Sequence, residues 1–498
     1  MQDNATEVTA AGIARLAGVG RAAVSNWRRR HADFPKPVGG TETSPSFALA
    51  EVEAWLRKQG KLAEVPLRER VWQQLAGHPG GPVAALIHAG CALLLVQDRP
   101  RVWLEASAGS DERLAAMLPE ALEPVLAGRF SNGMGSVSGP RLVNSPRSVS
   151  GRRPVNSPRS VSGPVPVNSP RSVNNPVPVN TFPAVHTPSG PQLLPSVPLL
   201  RAAAELAAEL GARQTFEFLL GRHLDANPRQ YTLTPAELAG LMADLAGPAR
   251  TLLDPACGTG ALLGAVATRP DQELYAQDSA PDLAALTALR LALHTRAGVR
   301  CAAGDSLRAD AFPELRADAV LCHPPFNERN WGHDELAYDP RWEYGFPARN
   351  ESELAWVQHA LARLRDGGTA VLLMPPAAAS RRSGRRIRAD LLRRGALRAV
   401  VALPVGAAPP YNIPLHLWVL RRPDRAPAQP EVLLVDTGQF ATEGRGGPDW
   451  RAVREAVMGA WSAFDRAGTL KERPGLARSL PVIDLLDDDV DLAPARHL

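Results

Sequence analysis

The chain has 498 residues, of which 45% are hydrophobic and 21% charged, and a formal net charge of +5. That length supports roughly two or three cored domains, and no apolar run reaches the roughly 20 residues that a membrane helix needs. The opening "MQDNATEVTAAG" lacks a charged-then-apolar leader, so a cytoplasmic protein without membrane contact is expected. The scattered cysteines Cys91, Cys257, Cys301 and Cys322 form no CxxC pair and have no histidine at ligand spacing, which argues against a metal site or a disulfide framework.

Near the N-terminus, "TAAGIARLAGVGRAAVSNWRRRH" predicts two short helices joined by a Gly-containing turn. Ala11, Ile13, Leu16 and Ala17 give one apolar face, Val19-Gly20 the turn, and Val24 and Trp27 pack from the second helix. Arg21, Ser25, Asn26, Arg28 and Arg29 fall on the outer side of that helix, where they suit phosphates and base edges. "FPKPVGGTETSPSFALAEVEAWLRKQG" adds a turn, a hairpin-like stretch and an amphipathic helix around Val52, Trp55 and Leu56. Residues 8–60 resemble the winged helix-turn-helix of MerR-type regulators and phage excisionases, in which "FPKPV" and "EVEAWL" flank the wing. The resemblance implies a DNA-binding domain over residues 1–62. Residues 63–130 alternate apolar helical patches with Gly and Pro breaks and read as a small helical region without recognisable chemistry.

From Ser131 to Leu200 there is no acidic residue and there are six arginines, so the rest of the chain is close to neutral. "VNSPRSVSG" recurs with Asn144, Asn156, Asn168 and Asn180 twelve residues apart. A Pro, Ser, Val and Arg repeat without an amphipathic pattern does not bury enough apolar surface to offset chain entropy. Residues 131–198 are therefore expected to be a disordered, basic, extended linker.

The chain then becomes strongly patterned. "QYTLTPAELAGLMADLAG" predicts a helix with Thr234 as its N-cap before Pro235. "ARTLLDPACGTGALLGAVATR" reads as a strand over Thr251–Leu253 ending in Asp254, a tight turn, and a helix beginning near Ala261. Gly258 and Gly260 let the backbone approach a ligand closely, the helix start presents free N–H groups, and Asp254 can bond an ammonium or hydroxyl. Nicotinamide enzymes use a similar device, so the turn alone decides little. "ELYAQDS" adds a strand ending in Asp278, eighteen residues past Gly260, where an acid can hold ribose hydroxyls. "VRCAAGDSL" adds another ending in Asp305, placed for an adenine edge, and "RADAVLCHPPFNERNWG" a fourth that ends in a Pro-Pro-aromatic turn.

In this order, "DPACGTGALL", "GDSL" and "PPFN…W" resemble the adenine-N6 DNA methyltransferases, and in particular the modification subunit of type I restriction-modification systems. The likeness covers about residues 200–425 and continues more loosely beyond. It implies an α/β fold: a seven-stranded Rossmann-like S-adenosylmethionine-dependent methyltransferase domain at residues 199–425, behind the winged helix-turn-helix and the linker, with a C-terminal helical extension at 426–498. It gives Asp254, Ala256, Gly258, Thr259 and Gly260 the methionine part of S-adenosylmethionine, Thr234 its carboxylate, Asp278 the ribose and Asp305 the adenine. Phe326 would stack on a target adenine rotated out of the duplex, and Pro324, beside Pro325, would offer its carbonyl to the adenine amine.

His323 departs from the family pattern, which has Asn, Asp or Ser at that place. The adenine amine is a poor nucleophile, and two acceptors on its hydrogens draw it toward a reactive geometry. A neutral imidazole has one acceptor nitrogen and an imidazolium has none. The expected function is site-specific, adenine-N6 DNA methylation within a restriction-modification or phage-defence system. The alternative is a catalytically impaired DNA-binding or regulatory protein on the same scaffold. "SRRSGRRIRADLLRR" puts seven arginines in fifteen residues on an expected helix, and Arg381, Arg382, Arg385 and Arg386 suit DNA phosphates. Double-stranded DNA and a separate specificity subunit are the expected partners, and no metal is expected.

Overall fold

The computed structural model describes residues 7–61, 66–131, 180–425, 429–442, 444 and 447–498. The first unit is small. β1 (Glu7–Thr9), β2 (Pro37–Gly40) and β3 (Pro45–Ala48) form an antiparallel sheet in the order β1-β3-β2 beside three helices, Ala10–Ala17, Arg21–Arg30 and Leu49–Lys58. Thr9 caps the first helix by accepting the Gly12 N–H, and Gly18 ends it at φ 65°. The left-handed residue is therefore Gly18, ahead of the expected Val19-Gly20 turn, because a residue without Cβ takes that conformation at no steric cost. Ile13, Leu16, Val24, Phe47, Trp55 and Leu56 are buried together in a core of their own.

The larger sheet has nine strands: β4 (Thr251–Asp254), β5 (Glu273–Asp278), β6 (Gly298–Ala303), β7 (Ala317–Cys322), β8 (Leu364–Met374), β9 (Leu397–Ala402), β10 (His416–Arg421), β11 (Glu431–Asp436) and β12 (Ala477–Pro481). Their order is β6-β5-β4-β7-β8-β10-β9-β11-β12. β6 through β8 run parallel, β10 is antiparallel to both its neighbours, β11 is parallel to β9, and β12 is antiparallel to β11. "DAVLC" and "TAVLLM" read as near-continuous apolar runs because two buried clusters cover the two faces of the sheet. Strand order reverses at β4, with β5 on one side and β7 on the other, and a crevice opens beyond the carboxyl ends of these strands.

Three expectations change. The segment 426–498 is not only helical: β11 and β12 extend the expected seven strands to nine, and the helix Trp450–Ala467 packs against both. Residues 67–126 are not a separate region. Their helix Pro82–Asp98 packs on the sheet-covering helix Pro281–His294, so closely that a Cβ on Gly90 would lie 2.9 Å from Leu289 and Phe216. The repeat at residues 132–179 lies outside the described residues, but 180–198 does not belong to a loose linker. There Thr181 exchanges backbone hydrogen bonds with Ala303 of β6, Ala184 donates to Cys301, and Val185, Leu193 and Val197 are buried. All four cysteines are buried and unpaired. Among the described residues no helix is long and apolar enough to cross a membrane.

The arginine-rich stretch is partly internal. Arg388, on the helix Arg385–Arg393, is 0% exposed and donates to the carbonyls of Val490, Asp489, Ala378 and Arg381. It thus ties the C-terminal segment to the sheet's flank. Replacing it leaves buried carbonyls without donors, so Arg388→Ala is expected to cost about 3 kcal/mol or more, read as a lowered urea midpoint.

Candidate active site

The crevice is a cavity of about 760 Å³. Its floor comes from the β4 turn. Gly258 at φ 52° and Gly260 at φ 83° fold the chain back on itself, and a Cβ on Gly260 would sit 3.2 Å from Thr287 of the neighbouring helix. Thr287 Oγ1 donates to the Gly258 carbonyl at 2.7 Å, and Arg290, paired with Glu217 at 2.7 Å, donates to the Thr259 carbonyl at 2.9 Å. These bonds hold the turn from behind, leaving its front to the cavity.

Asp254 is 1% exposed, and Oδ1 accepts the Ala256 N–H at 3.1 Å. Burial, with Asp278 close by, pushes its carboxyl up to about 8. A carboxylate so placed favours a cation beside it. Asp278, at the end of β5, accepts the Gly258 N–H at 2.9 Å and the Ala280 N–H at 2.9 Å, and burial raises it as well. Asp305 accepts from Leu307 at 2.9 Å and Arg308 at 3.2 Å while its second oxygen pairs with the Arg308 guanidinium at 2.9 Å.

Opposite, β7 delivers His323, Pro324, Pro325 and Phe326. Thr234 does not cap its helix; Pro235 occupies the N-cap position without a side-chain bond, because the Thr234 hydroxyl points across the cavity to His323 Nδ1, 2.9 Å away. Desolvation pushes the imidazolium of His323 down to about 4, so the ring is neutral at physiological pH. The His323 and Phe326 rings lie 5.6 Å apart at 37°.

The turn is braced by a buried acid. Asn327 has φ 55°, its N–H donates to Glu353 Oε1 at 2.8 Å, and Arg381 bonds both Asn327 Oδ1 and, at 2.9 Å, Glu353 Oε2. Glu353 itself is 0% exposed. Arg381, expected to face DNA, is thus an internal strut, because an unpaired acid at that depth would be costly. Glu353→Ala frees the turn without touching the donor side. It is expected to lower kcat by about 10-fold or more while leaving donor affinity unchanged in a titration calorimeter.

Every residue expected to bind the donor or act on the target lines this cavity except Gly260, which lies just behind it. Arg382, Arg385 and Arg386 are exposed on the flank, and Arg21, Ser25, Asn26, Arg28 and Arg29 are exposed on the N-terminal unit, where Arg29 donates to Asn26 Oδ1 at 2.5 Å. Among the described residues no hydrogen bond or ion pair joins the two groups. Sequence reasoning missed several walls: Tyr231, Glu328, Trp356, and the Pro409, Pro410 and Ile413 loop between β9 and β10. Glu328 was nearest to being found, two positions past Phe326, and burial with Asp305 nearby raises its pKa. Trp331 and Trp342 form an aromatic cluster behind the site, with rings 5.7 Å apart.

The chain is 26% identical over 319 residues to the type I restriction enzyme HindI methylase subunit of Haemophilus influenzae, covering 58% of this chain and 69% of that protein. It is 25% identical over 226 residues to the MjaIX methylase subunit of Methanocaldococcus jannaschii, covering 42% of this chain and 40% of that one. Among solved structures, the type I methyltransferase subunit from Streptococcus thermophilus superposes with a TM-score of 0.51 at 19% identity, over 62% of this chain and 68% of that one. A chain from a type I R-M system does so with a TM-score of 0.53 at 18% identity, over 86% and 89%. At these identities the structures establish a shared fold. The N-6 DNA methylase family model matches residues 213–496, which take in the whole cavity and all nine strands of the sheet, and the chain belongs to that family.

Proposed function

We propose that this protein transfers the methyl group of S-adenosylmethionine to N6 of an adenine swung out of duplex DNA, as the modification component of a restriction-modification system. The observation that carries the reading is that one cavity joins Asp254, Asp278 and the glycine turn to the His323-Pro-Pro-Phe turn. The donor fits its side: a desolvated carboxylate at Asp254 suits its ammonium, and Asp278 and Asp305 suit ribose and adenine. S-adenosylmethionine, when bound, supplies an electrophilic methyl on a positively charged sulfur.

On the target side, Phe326 stacks on the base while the Pro324 carbonyl and His323 Nε2 accept the two hydrogens of its amine. His323 then holds the proton that the amine gives up on methylation and passes it to water. Site choice rests with a separate specificity subunit, and residues 1–62, as a winged helix-turn-helix, bind DNA as well through Arg21, Ser25, Asn26, Arg28 and Arg29. Arg382, Arg385 and Arg386 pair with phosphates. Replacing any one of these three arginines by alanine is expected to reduce the salt slope of DNA binding by about one.

The test is transfer of labelled methyl into mixed-sequence duplex DNA with the native specificity partner present. Label at adenine N6 that Asp254→Ala removes supports the reading. DNA left unlabelled by wild type but labelled by His323→Asn would instead support the impaired-scaffold alternative, which only the departure at His323 favours. Label on cytosine in place of adenine would overturn both.

A further inference from the structure

The hydrogen bond between Thr234 and His323 links the two halves of the site. His323 Nδ1 lies 2.9 Å from Thr234 Oγ1, and neither that hydroxyl nor His323 Nε2 has another hydrogen-bond partner among the described residues. Both residues line the cavity. A neutral imidazole carries its proton on one nitrogen and its acceptor lone pair on the other, and the bond made by one nitrogen decides the role of the other. A threonine hydroxyl has one hydrogen to give and lone pairs with which to accept. Its own donation therefore decides which way the pair is polarised.

We propose that Thr234 is a positioning residue that sets the tautomer of His323: its hydroxyl donates to the carboxylate of the bound methyl donor and accepts the Nδ1–H, leaving His323 Nε2 as the acceptor for the target amine. This rests on the methyltransferase reading for the donor's carboxylate at Thr234 and for the use made of Nε2, but the tautomer itself is observable without catalysis. With the donor absent, Nδ1 is the protein acceptor that the Thr234 hydroxyl faces, at 2.9 Å, and the hydroxyl hydrogen turns to it. Nε2 then carries the proton and faces the target amine as a donor. Donor binding thus switches the target side from rejecting an amine hydrogen to receiving one, with no movement of backbone. The asparagine usual at this place in the family has no such freedom, because its carbonyl oxygen is always an acceptor.

The experiment is a long-range proton–nitrogen correlation spectrum of the full chain labelled with ¹⁵N-histidine, in which protonated and unprotonated ring nitrogens are well separated. The His323 signals are identified by their loss in His323→Gln. With S-adenosylhomocysteine bound, the proton is expected on Nδ1. Without ligand, and with 5′-methylthioadenosine, which lacks the carboxylate, it is expected on Nε2. Thr234→Val should hold the Nε2–H form whatever is bound, and Thr234→Ser should restore the switch. In methyl transfer, Thr234→Val should lower kcat at saturating donor by at least about 10-fold, consistent with loss of a positioned acceptor, and Thr234→Ser should recover most of it.

An Nε2–H ring in the S-adenosylhomocysteine complex overturns the proposal. So does a switch that 5′-methylthioadenosine produces equally well, or a Thr234→Val variant that loses donor affinity alone with kcat intact. If the ligand-dependent switch is seen but no variant methylates DNA with the specificity partner present, the tautomer assignment stands and the methyltransferase reading falls.

Discussion

Asp254→Ala is expected to weaken S-adenosylmethionine binding on the order of 10²–10³-fold and to reduce methyl transfer below detection. The magnitude follows from depth: removing one member of a buried charge pair costs roughly 3–5 kcal/mol, and every 1.4 kcal/mol is about tenfold in affinity. The side chain is 1% exposed, so its charge acts on the donor's ammonium with little screening by water. Its pKa adds a sign. With the free carboxyl pushed up to about 8, most of it is protonated at pH 7, whereas the ammonium binds the ionised form. Donor affinity should therefore fall as pH drops from 8 toward 6, and binding in that window should release a proton. Calorimetry in two buffers of different ionisation enthalpy measures the release directly. Asp254→Asn should bind weakly, without pH dependence in that range and without proton release. Unchanged affinity in Asp254→Ala would remove the donor from this end of the cavity.

The second large effect lies at His323. His323→Ala removes one of two acceptors for the target amine and is expected to lower kcat by about 10²-fold or more, with donor affinity changed little. His323→Asn replaces an acceptor by an acceptor and should stay within about tenfold of wild type. Because desolvation places the imidazolium near 4, the ring is already neutral at pH 5.5. Loss of activity from protonating His323 in the free enzyme should thus appear only below about pH 5. A reference histidine would have placed that fall near 6.5. A kcat for His323→Ala equal to wild type would exclude the ring from the reaction.

How far the sequence carried the structure can be read from these two residues. Asp254 was legible because a strand end, a glycine turn and the next acid come in one short stretch, and local order fixes their arrangement. The state of His323 was not, because its partner Thr234 lies 89 positions away and its desolvation is a property of the closed cavity. Thr234 looked like a helix cap for a local reason, being a threonine before a proline, and a partner distant in sequence outcompeted that role. The same holds for Arg381, whose charge reads as surface in a run of arginines until Glu353 is seen buried against it. "EVLLVD" was hidden differently, since a short apolar run does not by itself distinguish a strand from a buried helix. The docking of the helix Pro82–Asp98 on Pro281–His294 spans the whole repeat, and nothing in either segment alone announces it.

The bonds between Thr181, Ala184 and β6 have a consequence for handling the protein. β6 is the last strand on its side of the sheet, and the short segment after the repeat occupies part of its hydrogen-bonding edge through Ala303 and Cys301. A bare edge of this kind is a template for pairing with another chain. Deleting residues 180–185 from the full chain would strip that guard and invite copies to join edge to edge into aggregates, whereas a deletion confined to the repeat would keep it.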